Sequence, residues 1–266
     1  MNLSLPSSAV GIIDSHAHVM TEYFQDEKDE VIERALKNHV KQMVNPAVTV
    51  EDHVELKELS EKNEQIFFAL GQHPHEANKW QVEYADKIRE FSKHSKMVAV
   101  GECGLDFYYE HSDKETQIAV FREQVKLAKE LEKPLIVHCR DAWQEAFEVL
   151  REEKNEQLKG VFHCFTGGPE LIPAIKEIDF YVSYSGIVTF KNARDIQDSV
   201  AQVPMDRILT ETDCPYLAPQ AVRGKRNEPA YVWWTVAKLA ELKGMSVEEL
   251  APTLTKNTRT LFKLPA

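Results

Sequence analysis

Residues 97–106 read Met-Val-Ala-Val-Gly-Glu-Cys-Gly-Leu-Asp. The stretch from Met97 to Gly101 is apolar, short and valine-rich, as a buried strand is. It then ends on an acid, Glu102, with a second acid, Asp106, close behind. Apolar strands that run into ionisable groups at their C-terminal ends are the pattern of parallel α/β proteins, whose sites lie at that end of the sheet.

The pattern recurs along the chain. Candidate strands cover residues 10–15, 41–46, 66–71, 97–101, 135–137, 160–162, 180–183 and 208–210. Between them lie stretches with apolar positions three and four apart, such as Ile118, Phe121, Val125 and Ala128, or Ala142, Ala146 and Leu150. That is helical periodicity. Ser112-Asp113-Lys114-Glu115 offers a capping box before the first of these, and Ser246 with Glu249 another before the last helix. Pro134 stops the helix preceding it. Eight strands alternating with helices predict a (β/α)8 TIM barrel, α/β in class, as one domain over residues 1–266. The competing doubly wound sheet finds no support from a G-x-G-x-x-G after the first strand or a Walker A motif. Residues 215–229 read as a long loop after the eighth strand, and so as a lid or substrate loop.

Composition narrows the function. The formal net charge is -11, which argues against a protein that coats nucleic acid with a broad basic surface. A metal site would add local positive charge that the residue count omits. No apolar run approaches bilayer length, and residues 1–11 lack a signal peptide's basic start and apolar stretch, so a cytoplasmic protein without membrane association is expected. Cys103, Cys139, Cys164 and Cys214 form no C-x-x-C pair. Each follows directly on a candidate site residue, so strand alternation should turn each thiol away from the site, toward the helices.

The polar residues fall at strand ends: Asp14-Ser15-His16-Ala17-His18, Gln72-His73-Pro74-His75, Glu102 to Asp106, His138-Cys139-Arg140-Asp141, His163-Cys164-Phe165-Thr166-Gly167 and Glu211-Thr212-Asp213-Cys214-Pro215. Six of the ten histidines sit there, whereas His39, His53, His94 and His111 read as packing or surface residues. A lone histidine is weak evidence. Spaced i, i+2 at a strand end, however, His16 and His18 share a face and can grip one ion. Imidazoles mixed with carboxylates suit Zn, Mn, Fe or Co, and carboxylates admit Mg. The expected site holds two divalent metal ions: His16, His18 and Asp213 on one, His138 and His163 on the other, and Glu102 between them. Two adjacent cations fit in-line displacement at phosphorus.

These motifs resemble those of the TatD-related deoxyribonucleases: D-x-H-x-H, G-E-x-G-L-D-F/Y, H-x-R-D-A, H-C-F-T-G and E-T-D-x-P, in family order from Asp14 to Pro215, with Arg223 to Pro229 similar to the family's R-G-x-x-N-x-P segment. The resemblance implies a metallo-dependent hydrolase barrel and ligand roles for His16, His18, Glu102, His138, His163 and Asp213. It implies 3′-to-5′ exonuclease action on single-stranded DNA ends, with RNA and D-aminoacyl-tRNA as alternative substrates.

On this reading Asp213 orients an acidified water and serves as general base, with Glu102 beside it. Arg140 binds phosphate or pairs with Asp141 or Glu102. His73 and His75 contact phosphate, protonate the leaving oxygen or play a structural part. Arg223, Lys225 and Arg226 guide a single strand or form a solvated loop. Phe107, Tyr108 and Tyr109 stack a base or cover the rim. Two rivals remain at this stage. Amidohydrolases often bridge their metals with a modified lysine on the fourth strand, where this chain has Glu102. A structural zinc site would close with about four ligands, fewer than the six gathered here.

Overall fold

The computed structural model describes Pro6 and residues 8–266; residues 1–5 and 7 of the segment read as lacking a signal peptide lie outside the described residues. Eight strands pair in parallel and in chain order: β1 (Ile12–Asp14), β2 (Val40–Pro46), β3 (Ile66–Leu70), β4 (Met97–Asp106), β5 (Leu135–Arg140), β6 (Gly160–Phe162), β7 (Tyr181–Tyr184) and β8 (Ile208–Thr210). The barrel closes just past β1, where Ser15 donates its backbone N–H and its hydroxyl to the Thr210 carbonyl at 3.2 and 3.0 Å. The helices are α1 (Thr21–Phe24), α2 (Lys28–Lys37), α3 (His53–Lys62), α4 (Val82–Phe91), α5 (Lys114–Glu130), α6 (Trp143–Glu152), α7 (Ile172–Glu177), α8 (Arg194–Gln202), α9 (Val232–Lys243) and α10 (Val247–Phe262). Among the described residues no helix is long and apolar enough to cross a membrane.

Two cores follow from strand alternation. Ile13, Val44, Phe67, Val98, Ile136, Val161, Tyr181 and Leu209, one from each strand, form an inner cluster with Leu261, Phe262 and Leu264 from the end of the chain. The interior is thus a packed plug, as parallel barrels require. A larger cluster, with Ile12, Met43, Phe68, Phe121, Val125 and Leu150, fills the layer between strands and helices.

Two local expectations change. Ser112 does not cap α5. Asp113 does, accepting from Thr116 N at 2.9 Å, while the Ser112 hydroxyl donates to the His75 carbonyl at 3.0 Å and accepts from Asn78 N. The capping box of Ser246 and Glu249 on α10 forms as expected. The second change matters for the site: β4 continues past Gly101 to Asp106, because Gly104 and Asp106 pair with His138 and Arg140 of β5. A β-carbon on Gly104, whose φ is +133°, would lie 2.0 Å from the His138 carbonyl oxygen, so only glycine lets the two strands approach there. The pairing shifts register between Val100 and Cys103, and Glu102 instead donates its N–H to the Ala47 carbonyl at 3.0 Å. That break delivers the Glu102 side chain to the barrel mouth.

Gly104→Ala is expected to cost roughly 3 kcal/mol or more through overpacking and backbone strain. A urea midpoint equal to that of the unaltered protein would contradict this account of the close approach.

Candidate metal centre

Glu102 is buried, and both its oxygens face imidazoles. Oε2 lies 3.2 Å from His16 Nε2 and 3.5 Å from His18 Nε2. Oε1 lies 2.8 Å from His163 Nε2, 3.1 Å from His138 Nδ1 and 3.3 Å from His73 Nε2. His16 and His18 bring their Nε2 atoms within 3.0 Å of each other and within 3.7 and 3.8 Å of Asp213 Oδ1. The His16 ring stacks on His163 at 3.9 Å. Two loops hold this half of the centre in register: Asp213 N donates to the His16 carbonyl, and His18 N donates to the Cys214 carbonyl.

A further set of carboxylates orients the rings. Asp106 Oδ2 meets His138 Nε2 at 2.9 Å and His75 Nε2 at 3.0 Å, while its Oδ1 accepts from the N–H groups of Tyr108 and Tyr109. With Nε2–H given to Asp106, His138 turns its Nδ1 lone pair inward. Glu211 does the same for His163, at 3.3 Å from Nδ1. Asp14 accepts from Thr212 through both N–H and hydroxyl, and so ties the first strand to the last. Asp14, Asp106 and Glu211 all stand inside the strand-end motifs, yet spacing carried no sign of their role, because each acts through a partner distant in sequence.

Charge follows from these contacts. Burial favours the neutral form of Glu102, but His163, His73 and His16 outweigh it and hold the carboxyl well below its ordinary range. Burial pushes Asp213 up to about 6 and Asp14 up to about 8. Burial lowers His16 and His73 to about 4. It acts the same way on His18, His138 and His163, but neighbouring carboxylates, Glu102 above all for His18 and His163 and Asp106 for His138, raise these three.

The donor set fits a divalent metal. Three groups have ligand atoms all within 4.8 Å of one another: His16, His18 and Asp213; His16, Glu102 and His163; His73, Glu102 and His138. Nδ1 of both His16 and His18 is buried without a partner among the described residues, a cost accepted where the opposite nitrogen has work to do. Nitrogen and carboxylate oxygen together are the ligands of Zn, Mn and related ions.

The structure therefore gathers His16, His18, Glu102, His138, His163 and Asp213 at one point, and it brings His73 in with them. A cleft of about 790 Å³ opens above, lined also by His75, Arg140, Tyr108, Tyr109, Tyr216 and Tyr23. Arg140 forms no ion pair among the described residues. Its guanidinium lies 3.9 Å from the Tyr108 ring centre and 4.8 Å from that of Tyr109. Two cations of the basic loop, Arg223 and Arg226, stand off the cleft wall. Arg226 is paired with Glu27 and lies over Phe24, and Arg223 lies over Phe190, so neither lines the cleft. The cysteines are a partial correction. Cys103, Cys139 and Cys214 join the outer core, although Cys139 also reaches the cleft wall. Cys164 does not turn away. Its positive φ of 42° breaks the alternation, and its thiol lies in the cleft wall 3.2 Å from the Ser185 hydroxyl.

The family described as TatD related DNase matches residues 13–263. The chain belongs to this family. A Bacillus subtilis relative, "Uncharacterized metal-dependent hydrolase YabD", is 42% identical, the match covering 95% of this chain and 99% of the relative. The "3'-5' ssDNA/RNA exonuclease TatD" of Citrobacter koseri is 31% identical, over 94% and 98%. The solved structure of YjjV, a TatD homologue from Escherichia coli K12, superposes with a TM-score of 0.88 at 28% identity, covering 96% of this chain and 98% of that one. The protein is a TatD-type metal-dependent hydrolase on a TIM barrel.

The linked charges predict a pH slope for the metal-free protein. Above pH 6.5 the unfolded histidines are neutral, while folded His18, His138 and His163, whose values are raised, still hold protons. Folded Asp14 also holds its proton up to about 8, whereas unfolded Asp14 has lost it. The folded state binds more protons, so stability falls as pH rises through this window. The thermal midpoint in chelator is expected to drop between about pH 6.5 and 8, and added divalent cation to raise it more at the upper end. A midpoint rising with pH in chelator would refute the charge assignment.

Proposed function

We propose that this hydrolase removes nucleotides from the 3′ ends of single-stranded nucleic acid, using two divalent cations at the barrel mouth. The observation that carries the reading is the double engagement of Glu102: one oxygen faces His16 and His18, the other faces His138 and His163. His16, His18 and Asp213 would hold one cation, His138 and His163 the second, and Glu102 both. Such a pair supplies charge that neutralises phosphoryl oxygens and acidifies a water.

The chain's own groups do the rest. Asp213, at the cleft wall and raised to about 6, is suited to take a proton from a water near neutral pH. Arg140 has its fork free for a phosphate and its orientation set by Tyr108. For His73 the contacts favour the structural part. Its Nδ1 accepts from His75 N at 3.1 Å, so its neutral ring carries the proton on Nε2, beside Glu102 Oε1. It donates to Glu102 and positions that carboxylate. His75, turned toward Asp106 and half-buried, remains on the substrate side. The exonuclease name of the Citrobacter relative supports the substrate class, and the family supports hydrolysis.

The test is a time course on end-labelled single-stranded DNA, duplex DNA, RNA and D-aminoacyl-tRNA, with Mg, Mn or Zn restored to stripped protein. Stepwise shortening from the 3′ end is expected. Release of the amino acid alone would replace this reading with the aminoacyl-tRNA one. Asp213→Asn should retain the fold and reduce kcat by roughly 10²- to 10⁴-fold. Near-normal turnover would remove it from the chemistry. Asp106→Asn should weaken metal binding about 10- to 100-fold, read by titration of the stripped protein, because His138 loses its orienting acceptor.

A further inference from the structure

The chain has 24 aromatic side chains counting Phe, Trp and Tyr, and all lie within the described residues. Only Tyr108, Tyr109 and Tyr216 are exposed, at 58, 51 and 51%. All three line the same cleft. A tyrosine ring ordinarily hides its apolar body and shows only its hydroxyl. Three half-bare rings around one centre, with every other aromatic ring at least partly covered, call for a ligand with flat apolar faces.

Their positions add direction. Tyr108 and Tyr109 follow β4, and Tyr216 follows β8, four strands on in an eight-stranded barrel and therefore across its mouth. Tyr216 stands 6.5 Å from His18, on the Oε2 side of Glu102. Tyr109 stands 5.5 Å from His75, which shares Asp106 with His138 on the Oε1 side. The two walls thus flank the carboxylate from opposite sides. They also differ in their open faces. Tyr216 meets Tyr23 and His18 edge-on, at 70 and 72°, with no ring or guanidinium stacked flat on it among the described residues. Tyr108 has Arg140 against one face and meets Tyr109 edge-on, which stiffens it and leaves its other face available. Tyr109 is more enclosed, stacked parallel to His111 and adjoining Arg140. Phe107, by contrast, packs toward the core.

We propose that Tyr216 and Tyr108 are two base-stacking platforms, one for each nucleobase flanking the phosphodiester held over the centre. The inference rests on the nuclease reading above and deepens it. A phosphodiester between the walls sends its two nucleosides in opposite directions, so each base meets one ring. Bases splayed in this way cannot remain stacked on each other or paired to a second strand. The site then selects unpaired ends, accepts any base because every base has a flat face, and tolerates either sugar. It also explains how an acidic chain holds a polyanion: the grip comes from stacking and local cations in place of a basic surface.

The experiment uses the metal-loaded full chain and a single-stranded oligonucleotide whose last linkage is a hydrolysis-resistant phosphorothioate. 2-Aminopurine replaces the base on one side of that linkage or the other. Stacking on tyrosine should quench both probes. Tyr216→Ala should relieve the quench at one position and Tyr108→Ala at the other, each raising Kd roughly 5- to 150-fold. Tyr216→Phe and Tyr108→Phe, which keep the ring, should restore quench and affinity. Quench and Kd unaltered in both alanine variants, with the unmodified oligonucleotide still degraded, would overturn the platforms and leave the nuclease reading standing. Relief of both probes by one variant would overturn the two-walled arrangement. If no oligonucleotide is bound or cut while methyl p-nitrophenyl phosphate is hydrolysed, the nuclease reading falls and the platforms with it.

Discussion

A carboxylate buried at the mouth of a barrel and kept ionised by five imidazoles is the constraint on which the rest of this molecule depends. Burying a charge costs several kcal/mol unless partners surround it. Glu102 meets that demand with His16 and His18 after β1, His73 after β3, His138 on β5 and His163 after β6. Groups from strands so far apart in the chain converge only if the sheet curls and closes. Closure depends in turn on Ser15 reaching Thr210 and on the close approach that Gly104 permits.

Around this carboxylate the structure arranges a graded set of acids. Glu102 is driven down by imidazoles, whereas Asp213, with fewer partners, is driven up by burial to about 6. On the proposed reading both acids hold cations, and Asp213 alone also exchanges a proton. Asp106 and Glu211 stand behind His138 and His163, so that ring orientation is set before any ligand arrives. The cleft above is as asymmetric as its floor, with an arginine braced on tyrosines at one wall and a bare tyrosine at the other.

Much of this was legible in the residues. All eight strands, and the convergence of the i, i+2 histidines with Glu102, His138, His163 and Asp213, follow from apolar runs that end in polar clusters. Element ends were less legible. β4 outruns its apolar stretch because the continuation is held by pairing with β5 across a glycine. Asp113 caps α5 because Ser112 is engaged by the β3 loop, a partner distant in the chain. Arg226 looked available as a free cation, since nothing local announces Glu27 as its partner.

The amino-acid sequence alone determined the architecture and the identity of the gathered residues, because strand periodicity and polar strand ends are local properties that any short window reveals. Only the tertiary structure decided what each residue faces. It put His73 against Glu102, set Cys164 in the cleft wall, kept Arg223 and Arg226 out of that wall, and set Tyr108 and Tyr216 on opposite sides of the mouth. The reason is physical: orientation, protonation and exposure depend on neighbours brought together by barrel closure, and their separation along the chain carries no record of their distance in space.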